Sequence, residues 1–385
     1  MALGDLHKLS LESITSGGDA LGRIKGKPVF VETGAPGDTV LCRIIEEHKT
    51  WEKAQILEII DASPARTESK CRYYGKCGGC NLQHIDYSAQ LEIKKTVLKE
   101  NFTRIGGFSD IELAIIPGNA WEYRNRMQFH CFRQHNRGEK NHDFGLKGRD
   151  NQEIIAVRDC LIADPGIRNM LQYGKNIPIP PDKDRFTVYA RNGLLLNEGS
   201  KKRGQISLLG KELTIDTGVF FQSNGVMLEK LILDLQELAC GMSGNMADIF
   251  CGAGTFACFT GERFEKIDLV EEDKTSLSLA RENLRGLNAE FFVFRDSDFS
   301  AELVKRKKTY DFIIVDPPRK GLSSRLVSAL VKKGPPVLVY VSCDPASLAR
   351  DAKLLCRGRY SLRGLAFYDF YPQTSHIESL AVFNY

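Results

Sequence analysis

Apolar and polar positions alternate in five short runs near the start of the chain. LHKLSLESI begins at Leu6, ALGRI and KPVFV follow, and the β-branched runs TVLCRIIEE and KAQILEII complete the set. Turn residues at Gly17-Gly18, Gly26 and Pro36-Gly37 separate the early runs. Period-two alternation bounded by glycine and proline predicts strands. Five of them in so short a stretch predict a small closed barrel of the oligonucleotide-binding type. Only Phe30 and Trp51 offer stacking rings there, so base readout by this part is expected to be weak.

The pattern then changes twice. A polar, proline-containing stretch over 61–70 reads as a linker and leads into the cysteine-rich CRYYGKCGGC. Helical periodicity runs from Tyr87 to Ile105, and 120–215 reads as mixed strands and loops broken at IPIPPDKD and RNG. From about 216, helices such as LEKLILDLQELA and KTSLSLARENLRGL alternate with strands such as NMADIF, AEFFVF, TYDFIIV and PPVLVYVSC. That alternation predicts an α/β fold with a doubly wound, Rossmann-like sheet. The expected domains are a β-barrel over 1–62, a mixed α/β central domain over 63–215 and the doubly wound domain over 216–385. The helix at 87–106 is expected to pack on the last of these.

Composition narrows the class. With 42% hydrophobic and 26% charged residues among 385, the chain is expected to be globular. No apolar run reaches the roughly 18 residues of a membrane span. MALGDLHKLS lacks a basic stretch followed by an apolar core, so a cytoplasmic protein is expected. Eleven cysteines then point to metal binding or catalysis rather than to a disulfide scaffold. The net charge of +4 is unevenly spread: residues 1–60 carry −2 and residues 301–360 carry +8. The basic stretch includes Lys305, Arg306, Lys307, Lys308, Lys332 and Lys333, a surface suited to a polyanion.

Candidate chemistry lies at predicted strand ends. Asp248 to Phe256 reads as a strand entering a glycine-rich turn, where Gly252 and Gly254 let the backbone approach a ligand. Glu271, closing the next strand, is placed to accept from ribose hydroxyls, and Asp296 to meet an adenine amino group. A phosphate-binding Gly-Lys-Ser/Thr is absent, which excludes a P-loop nucleotidase and suits S-adenosylmethionine. Asp316, followed by Pro317-Pro318, is positioned to pair with a base N–H; Arg319 replaces the aromatic residue of adenine amino-methyltransferases. Cys343 precedes a helix capped by Asp344 and opened by Pro345. The helix dipole there is expected to favour thiolate below the ordinary value of about 8.5, making Cys343 a nucleophile. His376 and Glu378, two apart on an extended segment, share a face and are candidate bases. Cys251 reads as a small packing residue.

DIFCGAGTF, VDPPRKG, YVSCDPASLARD and DFYPQTSHIE, in this order, resemble the motifs of the uracil-5 RNA methyltransferases. The resemblance spans nearly the whole chain and is weakest over 130–215. It implies methyl transfer from S-adenosylmethionine to carbon 5 of a uridine, with Cys343 adding to carbon 6 and Glu378 removing the carbon-5 proton. Phe220-Phe221-Gln222-Ser223-Asn224 resembles the family's FFQ-x-N element, which implies that Gln222 lies at cofactor and substrate. Phe250, Gly252, Gly254, Glu271, Asp296 and Asp316 are the implied cofactor side; Asp316, Arg124 and Asn125 are the implied substrate side. The N-terminal barrel resembles a TRAM domain, an RNA-binding appendage. The residue after the nucleophile is usually Asn in this family, and here it is Asp344. An RNA cytosine-5 methyltransferase and a non-catalytic RNA-binding factor are the competing readings. Glu378, together with Asp316 where cytosine enzymes present a further cysteine, opposes the first; the presence of both Cys343 and Glu378 opposes the second.

Cys71, Cys77 and Cys80 form C-x5-C-x2-C, a spacing open to zinc or an iron–sulfur cluster. The family resemblance implies a [4Fe-4S] cluster with Cys160 as the distant fourth ligand, Cys131 being the competitor. A structural staple is the expected role. The expected partner is RNA, 23S rRNA ahead of tRNA, bound by a monomer that does not enter a membrane.

Overall fold

The computed structural model describes residues 2–131, 144–174, 177–180, 183–305 and 309–385. The five N-terminal runs are strands β1 (Leu6–Ile14), β2 (Ala20–Ile24), β3 (Lys27–Val31), β4 (Thr39–Glu47) and β5 (Glu52–Asp61). They close into a barrel in the order β1-β2-β3-β5-β4. Closure depends on one parallel pairing, β3 beside β5, among otherwise antiparallel ones. Inward positions such as Leu9, Leu11, Val29, Val31 and Val40 are buried together, as the alternation requires. The polar stretch after β5 is held to the barrel. Arg66 pairs with the buried Asp38 at 2.6 Å, and Asp38 also accepts the Ser63 N–H.

Helix α1 (Tyr87–Asn101) is capped by Asp86 and continues as a π-helical turn over Phe102–Gly106. Its Leu98 and Phe102 are buried in the core of the C-terminal sheet. Strand β6 (Ala114–Ile116) pairs with that sheet's far edge. The region between is a second sheet. Strands β7 (Arg126–Cys131), β8 (Phe144–Lys147) and β9 (Ile154–Ile155) join β10 (Arg185–Arg191) and β11 (Leu194–Asn197) in the order β11-β10-β7-β8-β9. Helix α2 (Pro165–Tyr173) covers it. The sequence reading missed this helix, although Asp164 caps it and Pro165 opens it. A hairpin of β12 (Arg203–Leu208) and β13 (Lys211–Asp216) follows.

Thereafter helices α3 (Gly225–Leu238), α4 (Thr255–Thr260), α5 (Lys274–Asn283), α6 (Asp296–Lys305), α7 (Ser324–Lys333) and α8 (Pro345–Arg357) alternate with strands. The strands are β14 (Asn245–Ile249), β15 (Lys266–Glu271), β16 (Ala289–Val293), β17 (Phe312–Val315), β18 (Val337–Ser342), β19 (Ser361–Tyr368) and β20 (Glu378–Asn384). They form one sheet ordered β16-β15-β14-β17-β18-β20-β19-β6. Runs such as FIIV in β17 are apolar at every position because helices cover both faces. Order reverses between β14 and β17, so a crevice opens at the carboxyl ends of the parallel strands. Strand β20 enters antiparallel between β18 and β19, which brings its first residue, Glu378, beside the end of β18.

The basic stretch sits differently from expectation. Lys305, Lys332 and Lys333 occupy the carboxyl-terminal turns of α6 and α7, whereas the crevice lies at the opposite ends of those helices. Arg306, Lys307 and Lys308 fall outside the described residues.

Candidate active site

A cavity of about 1,130 Å³ occupies the crevice. Its cofactor-side wall begins where β14 ends. Phe250 adopts φ +65° and Gly252 φ +52°, so the chain turns sharply just past the strand. Backbone strain at a non-glycine residue such as Phe250 is typical of a site fixed by its surroundings. Both residues line the cavity, and a Cβ on Gly252 would meet nothing within 4 Å, leaving its surface open to a ligand. Gly254 serves packing instead: a Cβ there would lie 2.5 Å from the side chain of Leu284. Glu271, at the end of β15, accepts the N–H of Gly252 at 3.1 Å and of Asp273 at 2.9 Å, which fixes its carboxylate on the cavity wall. Asp296 accepts the Ser323 N–H at 2.8 Å and lines the next stretch. Gln222 is buried on the wall and its Oε1 has no protein partner among the described residues. That orphaned acceptor, the glycine turn and the strand-end acids fit S-adenosylmethionine.

The opposite wall carries the reactive groups. Asp316, Cys343 and Glu378 follow or open three adjacent strands and line the same cavity, with Tyr371 and His376. The cap at Asp344 is as expected, its carboxylate accepting the Ser347 N–H at 2.8 Å. The expected acidity of Cys343 is not. Burial, then the nearby Glu378 and Asp316 carboxyls, push the thiol up to about 12, with Arg319 opposing and Asp344 adding to the rise. Burial and the neighbouring carboxyls act against the helix N-terminus here. Burial likewise raises Glu378 and Asp316, and their mutual repulsion adds to the rise at Glu378. Two carboxyls that interact this way titrate as a pair and do not ionise independently.

Arg124 lines the cavity too, whereas Asn125 is buried behind it, its N–H bonded to the Ser223 carbonyl at 2.9 Å. Phe220, Phe294, Arg319 and Lys320 also line the wall, although none was assigned a site role from the sequence. Phe294 was findable, since it follows β16 as Asp316 follows β17. Phe220 is 60% exposed despite its size, and only the folded surface reveals that.

A second cavity, about 200 Å³, is lined by Cys71, Cys77, Cys80 and Cys160, and Arg124 lies on its wall as well. Cys131 packs instead against the buried cluster of Phe129, Phe144 and Phe186. Burial pushes Cys80 up to about 12 and Cys160 up to about 11. The N–H of Gly79 points at the Cys77 sulfur, 3.4 Å away. Among the described residues, no three His, Cys, Asp or Glu side chains converge closely enough to hold a single metal ion.

A doubly wound sheet with its glycine turn and acids at the switch point defines an S-adenosylmethionine-dependent methyltransferase fold. The profile of the tRNA (Uracil-5-)-methyltransferase family matches residues 205–384. An uncharacterized RNA methyltransferase of Treponema denticola is 31% identical over 388 residues, covering 93% of this chain and 94% of its own. One from Aquifex aeolicus is 30% identical over 423 residues, covering 97% of each. The solved Pyrococcus abyssi tRNA (uracil-54, C5)-methyltransferase, bound to S-adenosyl-L-homocysteine, shares the fold with a TM-score of 0.76. It is 23% identical and covers 98% of this chain and 100% of its own. The chain belongs to the RNA uracil-5 methyltransferase family and is an S-adenosylmethionine-dependent enzyme of that family.

Proposed function

We propose that the enzyme methylates carbon 5 of a uridine through a transient covalent adduct with Cys343. The observation that carries this reading is the meeting of Cys343, Asp316 and Glu378 in one cavity with Gln222 and the glycine turn. S-adenosylmethionine, bound at that turn, supplies an electrophilic methyl group. Cys343 loses its proton to solvent through the Asp316–Glu378 pair, and the thiolate adds to carbon 6. The electron pair displaced from the 5,6 double bond makes carbon 5 an enolate carbon, which takes the methyl group. Glu378, whose burial raises its proton affinity, removes the carbon-5 proton. The double bond re-forms and the thiolate leaves, so each methyl transferred releases one proton. Asp316 orients the ring, and Arg124 holds the RNA beside the extruded base. Asn125 supports the wall by tying β7 to Ser223.

The RNA is 23S rRNA in the first reading, because the barrel and the cysteine-lined cavity occur together. It is tRNA in the second, which the names of the matched family and of the Pyrococcus enzyme favour. Mass spectrometry of nucleosides, mapped to position in RNA from cells with and without the gene, tests both. Loss of 5-methyluridine at a defined site supports the reading and names the RNA. Unchanged 5-methyluridine with lost 5-methylcytidine overturns it.

The four cysteines are assigned to a [4Fe-4S] cluster. The four cysteines line one cavity, which supports a common group, and the family resemblance favours the cluster over zinc. No step of methyl transfer needs electrons, so the group would act as a staple. Protein purified without oxygen should be brown, with broad absorbance near about 400 nm. Cys160→Ser should lose the iron and Cys131→Ser should keep it; colourless protein with stoichiometric zinc refutes the assignment.

A further inference from the structure

The segment 369–376, which leads into Glu378, combines short local turns around Thr374 with bonds to residues far from it in sequence. The Lys94 ammonium, 1% exposed on α1, donates to the Asp369 carboxylate at 2.7 Å and to the Tyr371 carbonyl at 2.9 Å. One turn earlier on the same helix, the side chain of Gln90 forms a two-way amide pair with Gln373. Its Oε1 accepts the Gln373 N–H at 2.9 Å, and its Nε2 donates to the Gln373 side-chain oxygen at 3.0 Å. Gln373 has φ +68°, a conformation that a glutamine keeps only when its surroundings impose it. Asn81 completes the set. Its Oδ1 accepts the Ser375 N–H at 2.8 Å, and its Nδ2 donates to the Ser375 hydroxyl at 3.1 Å.

We infer that Lys94, Gln90 and Asn81 are positioning residues for the reaction: they hold 369–376 so that Tyr371 and Glu378 face the target base. The inference rests on the uracil reading above. Its physical basis is the direction of the bonds. Strand ladders fix β19 and β20, but the chain joining them has few ladder partners of its own. The Tyr371 carbonyl accepts from Lys94 of α1 as well as from the Thr374 N–H and hydroxyl. The Gln373 N–H is met by α1, and the Gln373 carbonyl and Ser375 N–H are met by the segment just after Cys80. A loop held this way has one placement while the tethers stand, and several when they are cut. Proton removal by a misplaced carboxylate is slow even where binding is intact. Lys94 is therefore more than a buried ion pair: besides Asp369 it binds the Tyr371 carbonyl, anchoring to α1 a turn that Thr374 closes locally.

The test separates tethering from stability. Lys94→Met alone leaves Asp369 buried without its cation and is expected to destabilise the fold. The double variant Lys94→Met/Asp369→Asn removes that charge and should recover most of the melting temperature, yet not the tether to Tyr371. Its saturating rate with total RNA from cells lacking the gene should stay about tenfold to hundredfold low. Half-saturating RNA and S-adenosylmethionine affinity should stay near wild type. Lys94→Arg, which keeps charge and reach, should restore the rate. Gln90→Met, which introduces no charge, should repeat the loss of rate. Recovery of rate together with stability in the double variant, or a normal rate in Gln90→Met, would overturn the inference. If the wild-type enzyme makes no 5-methyluridine, the uracil reading fails instead. The tethers are then judged by hydrogen exchange, which should rise over 369–376 in the double variant and nowhere else in the sheet; unchanged exchange there refutes them.

Discussion

At the scale of single residues, the site is governed by what burial does to charge. Glu378 is 3% exposed and faces Asp316, so the carboxyl that must accept a proton from carbon already has raised proton affinity. Adduct formation and methylation need Cys343 and the methyl donor, whereas release needs the base. Glu378→Gln should therefore trap a heat-stable protein–RNA complex with a cognate RNA, visible as a retarded band in a denaturing gel, and Cys343→Ala should not. No band in either variant would show that the two roles are wrongly assigned. The same burial makes a statement about stability. The Asp316 carboxyl is raised above its unfolded value of 3.8. Between that value and its folded one, the native state binds more protons than the unfolded state. Its contribution is present in acid and is lost as pH rises toward neutrality. Asp316→Asn carries no buried charge at any pH. Its melting temperature relative to wild type should climb from pH 4 to neutrality and then level off. A constant offset across that range would mean that Asp316 keeps an ordinary carboxyl pKa.

At the scale of elements, helix α8 shows how a cap and a nucleophile constrain one another. Asp344 caps the helix well, and its charge works against the adjacent thiol. Asp344→Asn keeps the acceptor and removes the charge. It should leave stability unchanged and speed alkylation of Cys343 by a small thiol reagent a few-fold at pH 8. Asp344→Ala loses the cap and should cost about 1 kcal/mol in denaturant unfolding. Equal alkylation rates in wild type and Asp344→Asn would locate the raised thiol pKa in burial and the other carboxyls alone. The cap, the strands of the barrel and the parallel strands were legible because period and punctuation are local. The placement of β6 and β20 was not, since both join the sheet by pairings that no local pattern encodes. Candidate residues at the ends of β14, β15, β17 and β18 converged because parallel strands put their carboxyl ends on one edge. The acidity of Cys343 was misread for the converse reason: the dipole is a property of its own helix, while the opposing burial and carboxyls arrive from β17 and β20.

At the scale of the molecule, the question is which face meets the polyanion. Charge counts along the chain favoured the lysines of α6 and α7, but folding separates these from the chemistry. Helix α7 has ten residues, so its last turn lies on the order of 15 Å from its capped end at the cavity. Lys332 and Lys333 sit where cations complement the helix dipole, and Lys333 donates to the Val304 carbonyl at 3.3 Å. That is a sufficient structural reason for their presence. Arg124, Arg319 and Lys320, by contrast, line the cavity. The barrel, net −2 over residues 1–60, is a poor electrostatic anchor. Phosphates flanking an extruded uridine should therefore be held at the cavity mouth. Lys320→Glu and Arg124→Gln should each weaken RNA binding and reduce the log–log salt slope by roughly 0.7–0.9 per lost contact. Lys332→Glu/Lys333→Glu should leave the slope unchanged. S-adenosylmethionine affinity should hold in all three variants, because the glycine turn and Glu271 lie on other loops. A flattened slope in the helix variant, with a normal one at the mouth, would mean that the RNA wraps the far end of α6 and α7 and reaches the cavity from there.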